Sequence, residues 1–131
     1  PKNITTEWAR TDWHPPTAAK VAPHYELGTG DATLNLSHVK VPEGHTVKSE
    51  ADVGAGRLKV LIPKDTTVRV HVEVGLGDIQ LPGDRPQDID VAPGKEQTVT
   101  LSPPNGRAER GTVDLDLGLG LGLVEVSRAA A

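Results

Sequence analysis

The chain contains no Phe, no Met and no Cys, and has one Tyr and two Trp among 131 residues. Without cysteine there is no disulfide, no iron–sulfur cluster, no thiolate zinc site and no cysteine nucleophile. With so few aromatics the core must be built from Val, Leu, Ile and Ala, which suits thin layers of short strands better than a large globular interior. No apolar run approaches the roughly 20 residues that cross a bilayer as a helix. The charge balance is only mildly acidic: 14 Lys and Arg face 18 Asp and Glu, a formal net charge of −4, and no dense basic run occurs. The electrostatic footprint that a nucleic-acid partner needs is missing. The start at Pro1-Lys2-Asn3 has no initiator Met and no apolar leader, so the chain is expected to be a fragment or a processed form of a longer protein.

What is present divides into an arm, a repeating body and a tail. Residues 1–23 hold Trp8, Trp13, His14 and Pro15-Pro16 without a regular period, and read as an N-terminal arm or juxtamembrane linker. Residues 24–128 alternate apolar and polar side chains, the pattern of half-buried strands. Residues 129–131 are a short C-terminal tail. Within the body, Val47-Lys48-Ser49-Glu50-Ala51-Asp52-Val53 matches Val68-Arg69-Val70-His71-Val72-Glu73-Val74 at a shift of 21 residues. Each run ends in a Gly-x-Gly corner, Gly54-Ala55-Gly56 or Gly75-Leu76-Gly77, resumes alternation and stops at a proline, Pro63 or Pro82. The same corner stands earlier at Gly28 and Gly30 and later at Gly120 and Gly122. Glycine permits a sharp change of strand direction, and proline, lacking an N–H, fits the turn.

One strand–corner–strand unit cannot bury its own apolar face, whereas a stack of them can, so the fold class expected is an all-β, single-domain β-solenoid of short two-stranded coils. An antiparallel sandwich with similar hairpins is the competing architecture. Stacking in sequence order would place Asp31, Arg57 and Asp78 in one outward column and Thr33, Lys59, Gln80 and Glu125 in another. A coil lacking its corner would hold Ile89, Val91, Val99 and Leu101, with a loop through Pro93-Gly94. Whether residues 82–111 keep the coil register is left open by the loops at Arg85-Pro86 and Pro103-Pro104.

Candidate chemistry is sparse. Gly118-Leu119-Gly120-Leu121-Gly122 lacks the strand-to-helix setting of a dinucleotide fingerprint and reads as a strand with one bare face. His14, His24, His38, His45 and His71 show no helical ligand spacing and are expected to be solvated, so no metal site is expected. Asp84, Asp88 and Asp90 crowd a loop that could hold an incidental calcium ion, but the Gly-Asp nonapeptide of calcium-binding coils is missing. Asp114 and Asp116 share a strand face without a visible partner, and no nucleophile elbow occurs. The chain is therefore expected to be no enzyme and to need no cofactor. Trp8 and Trp13 are candidate docking residues, either covering an open solenoid end or seated at a membrane interface.

Asp12-Trp13-His14-Pro15, the run from Tyr25 to Leu34, and Gly54-Ala55-Gly56-Arg57-Leu58-Lys59-Val60 with Ile62-Pro63 resemble the toastrack domain at the C-terminus of PspC-type (phage-shock protein C) and LiaF-like membrane proteins, particularly those of actinobacteria. The Ala, Gly, Val, Arg and Asp bias also resembles that of a GC-rich genome. The resemblance covers about residues 20–128. It implies a β-helix-like stack and an extracytoplasmic placement, with attachment to the cell membrane through transmembrane segments outside this chain. It also implies a non-catalytic sensory or interaction role in envelope-stress signalling. The partner it implies is a membrane histidine kinase or another envelope-stress component, with an envelope ligand and oligomer formation left open. No catalytic residues come with it. The alternative is a structural or adhesive solenoid that self-associates or binds cell-surface glycans.

Overall fold

The structure, a computed structural model, describes residues 8–84, 90–104 and 111–129. It has six strands: β1 (Ala9–Trp13), β2 (His24–Asn35), β3 (Thr46–Ile62), β4 (Thr67–Gln80), β5 (Ala92–Leu101) and β6 (Thr112–Arg128), with one short 3-10 turn at Ala18–Lys20. They form a single sheet in the order β1-β2-β3-β6-β4-β5, parallel throughout except for the antiparallel β4–β5 pair. This is the β-solenoid expected from the repeat. β2, β3, β4 and β6 are long strands that run unbroken through a Gly-x-Gly corner, giving each a first arm before it and a second arm after it.

Inward side chains of both arms meet in one aliphatic cluster. Ala51, Val53, Val68, Val70, Val72, Val74, Leu115 and Leu117 come from the first arms, and Leu34, Leu58, Val60, Ile62, Val124 and Val126 from the second. Val72 and Leu58 are fully enclosed. Burying each such side chain contributes about 1.5–3 kcal/mol, so a long aliphatic stack needs no aromatic centre. The turn at residues 63–66 carries the chain from the end of one second arm to the start of the next first arm, a reach of at most about 17 Å. The arms therefore fold toward each other around the cluster. Ordinary side-chain alternation changes parity at the corner: Ala51 and Val53 point inward before it, Leu58 and Val60 after it.

Neighbouring corners lie directly on one another. Gly30 pairs with Gly56, Gly56 with Gly122, and Gly122 with Gly77. All four have φ between 135° and 153°, a region essentially closed to residues with a Cβ. A Cβ on Gly56 would also collide with the carbonyl oxygen of Gly30, and one on Gly122 with that of Gly56.

The sequence-order stack is corrected in one respect: β6, the last strand, lies between β3 and β4. Val47 and Val68 share a column as the 21-residue match requires, but both pair with Val113 instead of with each other. The outward columns change accordingly. Asp31 sits beside Arg57, but Leu123 separates Arg57 from Asp78, and Glu125 stands between Lys59 and Gln80. The physical reason is composition. β6 carries the most continuous inward apolar row, Val113, Leu115, Leu117, Leu119, Val124 and Val126, and gains most from a central position.

The residues expected to form a further coil do something else. β5 runs antiparallel to β4, pairing Val70 with Val99 and Leu76 with Pro93, so β5 leaves the coil register. Its exposed Glu96, Gln97 and Thr98 and its Pro93 suit an edge strand, which proline tolerates and charge protects. Ile89 lies outside the described residues. The segment read as an irregular arm contains β1, which continues the parallel ladder by pairing Ala9 with Gly30 and Trp13 with Leu34. Five residues were too few to show a period.

The corner column yields a paired test. Gly28 has open space around its missing Cβ, whereas Gly56 has none. Gly28→Ala is expected to change stability by less than about 0.5 kcal/mol. Gly56→Ala should cost at least about 1–3 kcal/mol from backbone conformation alone, before the collision is counted. Chemical denaturation of the two variants measures the difference.

Candidate functional site

Register turns the outward face of the first arms into a grid. One row across the strands reads His24, Glu50, Asp116, His71 and Thr98, and the next reads Glu26, Asp52, Gly118, Glu73 and Glu96. Above them stand Lys48, Asp114, Arg69 and Thr100. Below runs a row of glycines, Gly28, Gly54, Gly120 and Gly75. Seven outward acids, Glu26, Glu50, Asp52, Glu73, Glu96, Asp114 and Asp116, fall on this one face, because the alternating strands stack without slipping by one residue.

His71 is the centre of the grid. One ring nitrogen, Nδ1, lies 3.1 Å from an Asp116 carboxylate oxygen, and the other, Nε2, lies 2.8 Å from Glu96 and 3.6 Å from Glu73. Hydrogen bonding to Glu96 and then to Asp116 raises the imidazole above its ordinary range, against a smaller opposing effect of desolvation. Glu96 is lowered, chiefly by His71. Glu73 stands directly opposite Glu96 in the ladder and is raised by its hydrogen bond to that carboxyl. A second histidine repeats the theme, with His24 Nε2 3.1 Å from Asp52 and Nδ1 3.7 Å from Glu50. The trios His71–Glu73–Glu96 and His24–Glu50–Asp52 each bring three donor atoms together in the manner of a metal-ligand set, though both are open to solvent.

The histidines lie at the surface as expected, His45 exposed, but His14, His24, His38 and His71 also have side-chain partners. His14 Nε2 also lies 2.7 Å from His38 Nδ1, with ring centroids 4.9 Å apart. Asp114 and Asp116, which showed no partner along their own strand, line one shallow groove with Lys48, Glu50 and His71. These pairings join residues 24 to 45 positions apart along the chain, and single-strand periodicity carries no signal for them.

The loop aspartates lead elsewhere. Asp84 accepts the Leu81 N–H at 2.9 Å, and Asp90 receives Lys95 Nζ at 3.4 Å. Asp88 lies outside the described residues. The buried Asp78 does more: it accepts Lys95 Nζ at 2.8 Å and the N–H groups of Ile79 and Asp90. Burial pushes this carboxyl up, but Lys95 and the two N–H donors outweigh it and hold the group below the usual carboxylate range. Asp78 is a structural pin that ties β5 to the second arm of β4. Arg128 plays a similar part at the other end, donating to the carbonyls of Pro63, Thr66, Leu101 and Ser102.

Trp13 is half-buried against the core cluster, its ring 5.1 Å from that of Tyr25, while Trp8 is 57% exposed. Pro15 is buried, and Ser49 donates to the Ala22 carbonyl at 2.7 Å, which fastens the segment after β1 to β3.

The LiaF-like C-terminal family, described as "Cell wall-active antibiotics response LiaF, C-terminal", matches residues 20–126. The chain belongs to this family. The match runs from the 3-10 turn through β6 and so takes in nearly all of the described fold. A crystal structure of a candidate cell adhesion protein from Clostridium sporogenes is similar at a TM-score of 0.51 and 18% identity, over 81% of this chain and 54% of that one. At that identity the likeness is one of fold, and the LiaF-like chain spans about half the length of that protein. No curated protein sequence matches. Among the described residues no helix is long and apolar enough to cross a membrane.

The His71 cluster sets a pH dependence. A raised imidazole stabilises the fold fully below its unfolded value near 6.5, and that contribution is lost as pH rises through the folded value. A lowered Glu96 stabilises above its ordinary 4.5, and that contribution is lost as pH falls through the folded value. His71→Gln is therefore expected to cost most stability between about pH 4.5 and 6.5 and nothing well above that range. Melting curves of parent and variant across pH provide the check, and a constant difference would contradict the assignment.

Proposed function

We propose that this LiaF-like domain is a non-catalytic, extracytoplasmic sensing and interaction module of a membrane-anchored envelope-stress regulator, of the phage-shock PspC type. The observation that carries the reading is the family match across residues 20–126, which makes the chain a domain of a cell wall-active antibiotics response family. The site is in keeping with it. Its ionisable groups spread over an open sheet face instead of converging in an enclosed pocket, an arrangement suited to contacting a partner or an envelope component. The parent protein then relays the contact to a membrane histidine kinase or another stress component. Attachment to the membrane is through segments of the parent outside this chain, and an actinobacterial source agrees with the composition. No cofactor or metal enters this role. The adhesive alternative has only the fold likeness to support it, which carries no function.

Topology can be tested by cysteine labelling within this chain, which has no cysteine of its own, with the unsubstituted parent as the background control. Glu43 stands in an exposed turn between β2 and β3. Glu43→Cys in the full-length parent should react with a membrane-impermeant maleimide in intact cells as fully as in permeabilised ones. Protection until permeabilisation would overturn the extracytoplasmic placement. Deleting residues 24–128 from the parent should also abolish or lock the transcriptional response to cell-wall antibiotics. An unchanged response would contradict the regulatory role.

A further inference from the structure

The fold line presents an apolar ridge beside the acidic grid. Leu76 and Leu121 are register partners at the corner and are 45% and 52% exposed. Ala55 flanks Leu121 on one side, and the exposed Pro93 flanks Leu76 on the other. Next to the ridge, Gly54, Gly120 and Gly75 offer backbone with no side chain over it. Beyond that bare strip the acidic rows begin with Glu73 and Glu96, about 10 Å along the strands from Leu76.

Charge on the grid is one-sided. Seven carboxylates face only Lys48 and Arg69, a formal −5 with the histidines neutral, while the whole chain carries −4. The rest of the molecule is thus close to neutral, and the surplus negative charge lies next to the two most exposed leucines. Such an arrangement focuses attraction for a cation at the place where apolar area is also available.

We infer that this corner binds a cationic amphipathic helix, presented as a free peptide, laid across the strands along the Leu121–Leu76 ridge. The dimensions agree. The four strands that carry the ridge, at about 4.8 Å spacing, make it about 14 Å long, equal to about 10 residues of helix. A helix is about 10–12 Å across, so Lys and Arg on the flank of its apolar face overhang the glycine strip and reach the acidic rows. The glycine strip lets the helix settle close to the sheet. Naming a free peptide as the source rests on the extracytoplasmic reading above, whereas the chemistry of the surface does not.

The probe is a labelled Lys/Leu peptide of about 14 residues with helical amphipathic spacing, titrated against the purified chain by fluorescence polarisation. It is compared with a peptide of the same composition whose order destroys the apolar face. The amphipathic peptide is expected to bind the parent chain and to weaken with added salt. Leu76→Ser/Leu121→Ser should weaken binding by about tenfold or more. Both side chains are exposed, so the double variant should keep the parent's melting temperature. Glu73→Gln/Asp116→Asn, made on the grid alone, should weaken binding and reduce its salt dependence. Equal affinity for the two peptides, indifference to both double variants, or no binding at all would overturn the proposal. So would displacement of the peptide by low concentrations of zinc or calcium, which would assign the face to a metal ion at the histidine trios. The measurement uses the isolated chain, so its failure and a failure of the cell-surface labelling are separate results.

Discussion

A parallel ladder that folds back on itself must carry its backbone hydrogen bonds around the bend, and here that is possible only because glycine stands on glycine. At the column Gly30–Gly56–Gly122–Gly77 the backbone adopts a conformation that a Cβ forbids; Gly56, Gly122 and Gly77 each face the carbonyl of the glycine before it, and Gly30 faces that of Ala9. A side chain at any of these levels would push two strands apart. The column therefore fixes register across four strands at once, and with it the parity change that directs both arms' aliphatic residues inward. The rest follows from that alignment: a core of Val, Leu, Ile and Ala without aromatics, and an outer face on which polar residues of separate strands are brought side by side.

The same alignment determines where charge accumulates. Because strands with similar alternation stack without slippage, their outward acids fall in rows, and like charges become neighbours. Glu73 opposite Glu96 is such a contact, one that opposes pairing in a sheet. It is relieved locally by a shared hydrogen bond and by His71. The second arms show the opposite balance, with Asp31 beside Arg57 and Lys59 beside Glu125. One arm is electrostatically matched within itself, and the other carries the surplus. That asymmetry, more than any single residue, is what distinguishes the first-arm face from the rest of the surface and underlies the binding proposed for it.

Much of the fold was legible in the sequence because its rules are local. Period-two alternation, Gly-x-Gly corners and terminal prolines each act within a few residues, and the 21-residue match placed Val47 and Val68 in the correct column. What sequence order could not show was the insertion of β6 between β3 and β4, since two strands that share a column need not be adjacent. That single permutation explains the misplaced pairing of Arg57 with Asp78. β5 escaped for a related reason: Val91, Val99 and Leu101 alternate like the coils, but direction relative to a neighbour leaves no trace in alternation. The site was less legible than the fold. His71 gathers Glu73 from its own strand, Glu96 from an antiparallel edge and Asp116 from the inserted strand, so two separate strand pairings had to be known before the cluster could be seen.

The account makes β6 the centre of the sheet instead of its last coil, and truncation tests this most directly. A chain ending at residue 111 loses a strand that pairs with both β3 and β4 along nearly its full length. If β6 is central, the truncated chain should show no cooperative unfolding transition, and a separate peptide spanning residues 112–129 should restore one. A stack in sequence order would lose only a terminal coil, and the remainder would still melt cooperatively. Cooperative melting of the truncated chain close to the parent's temperature would contradict the account.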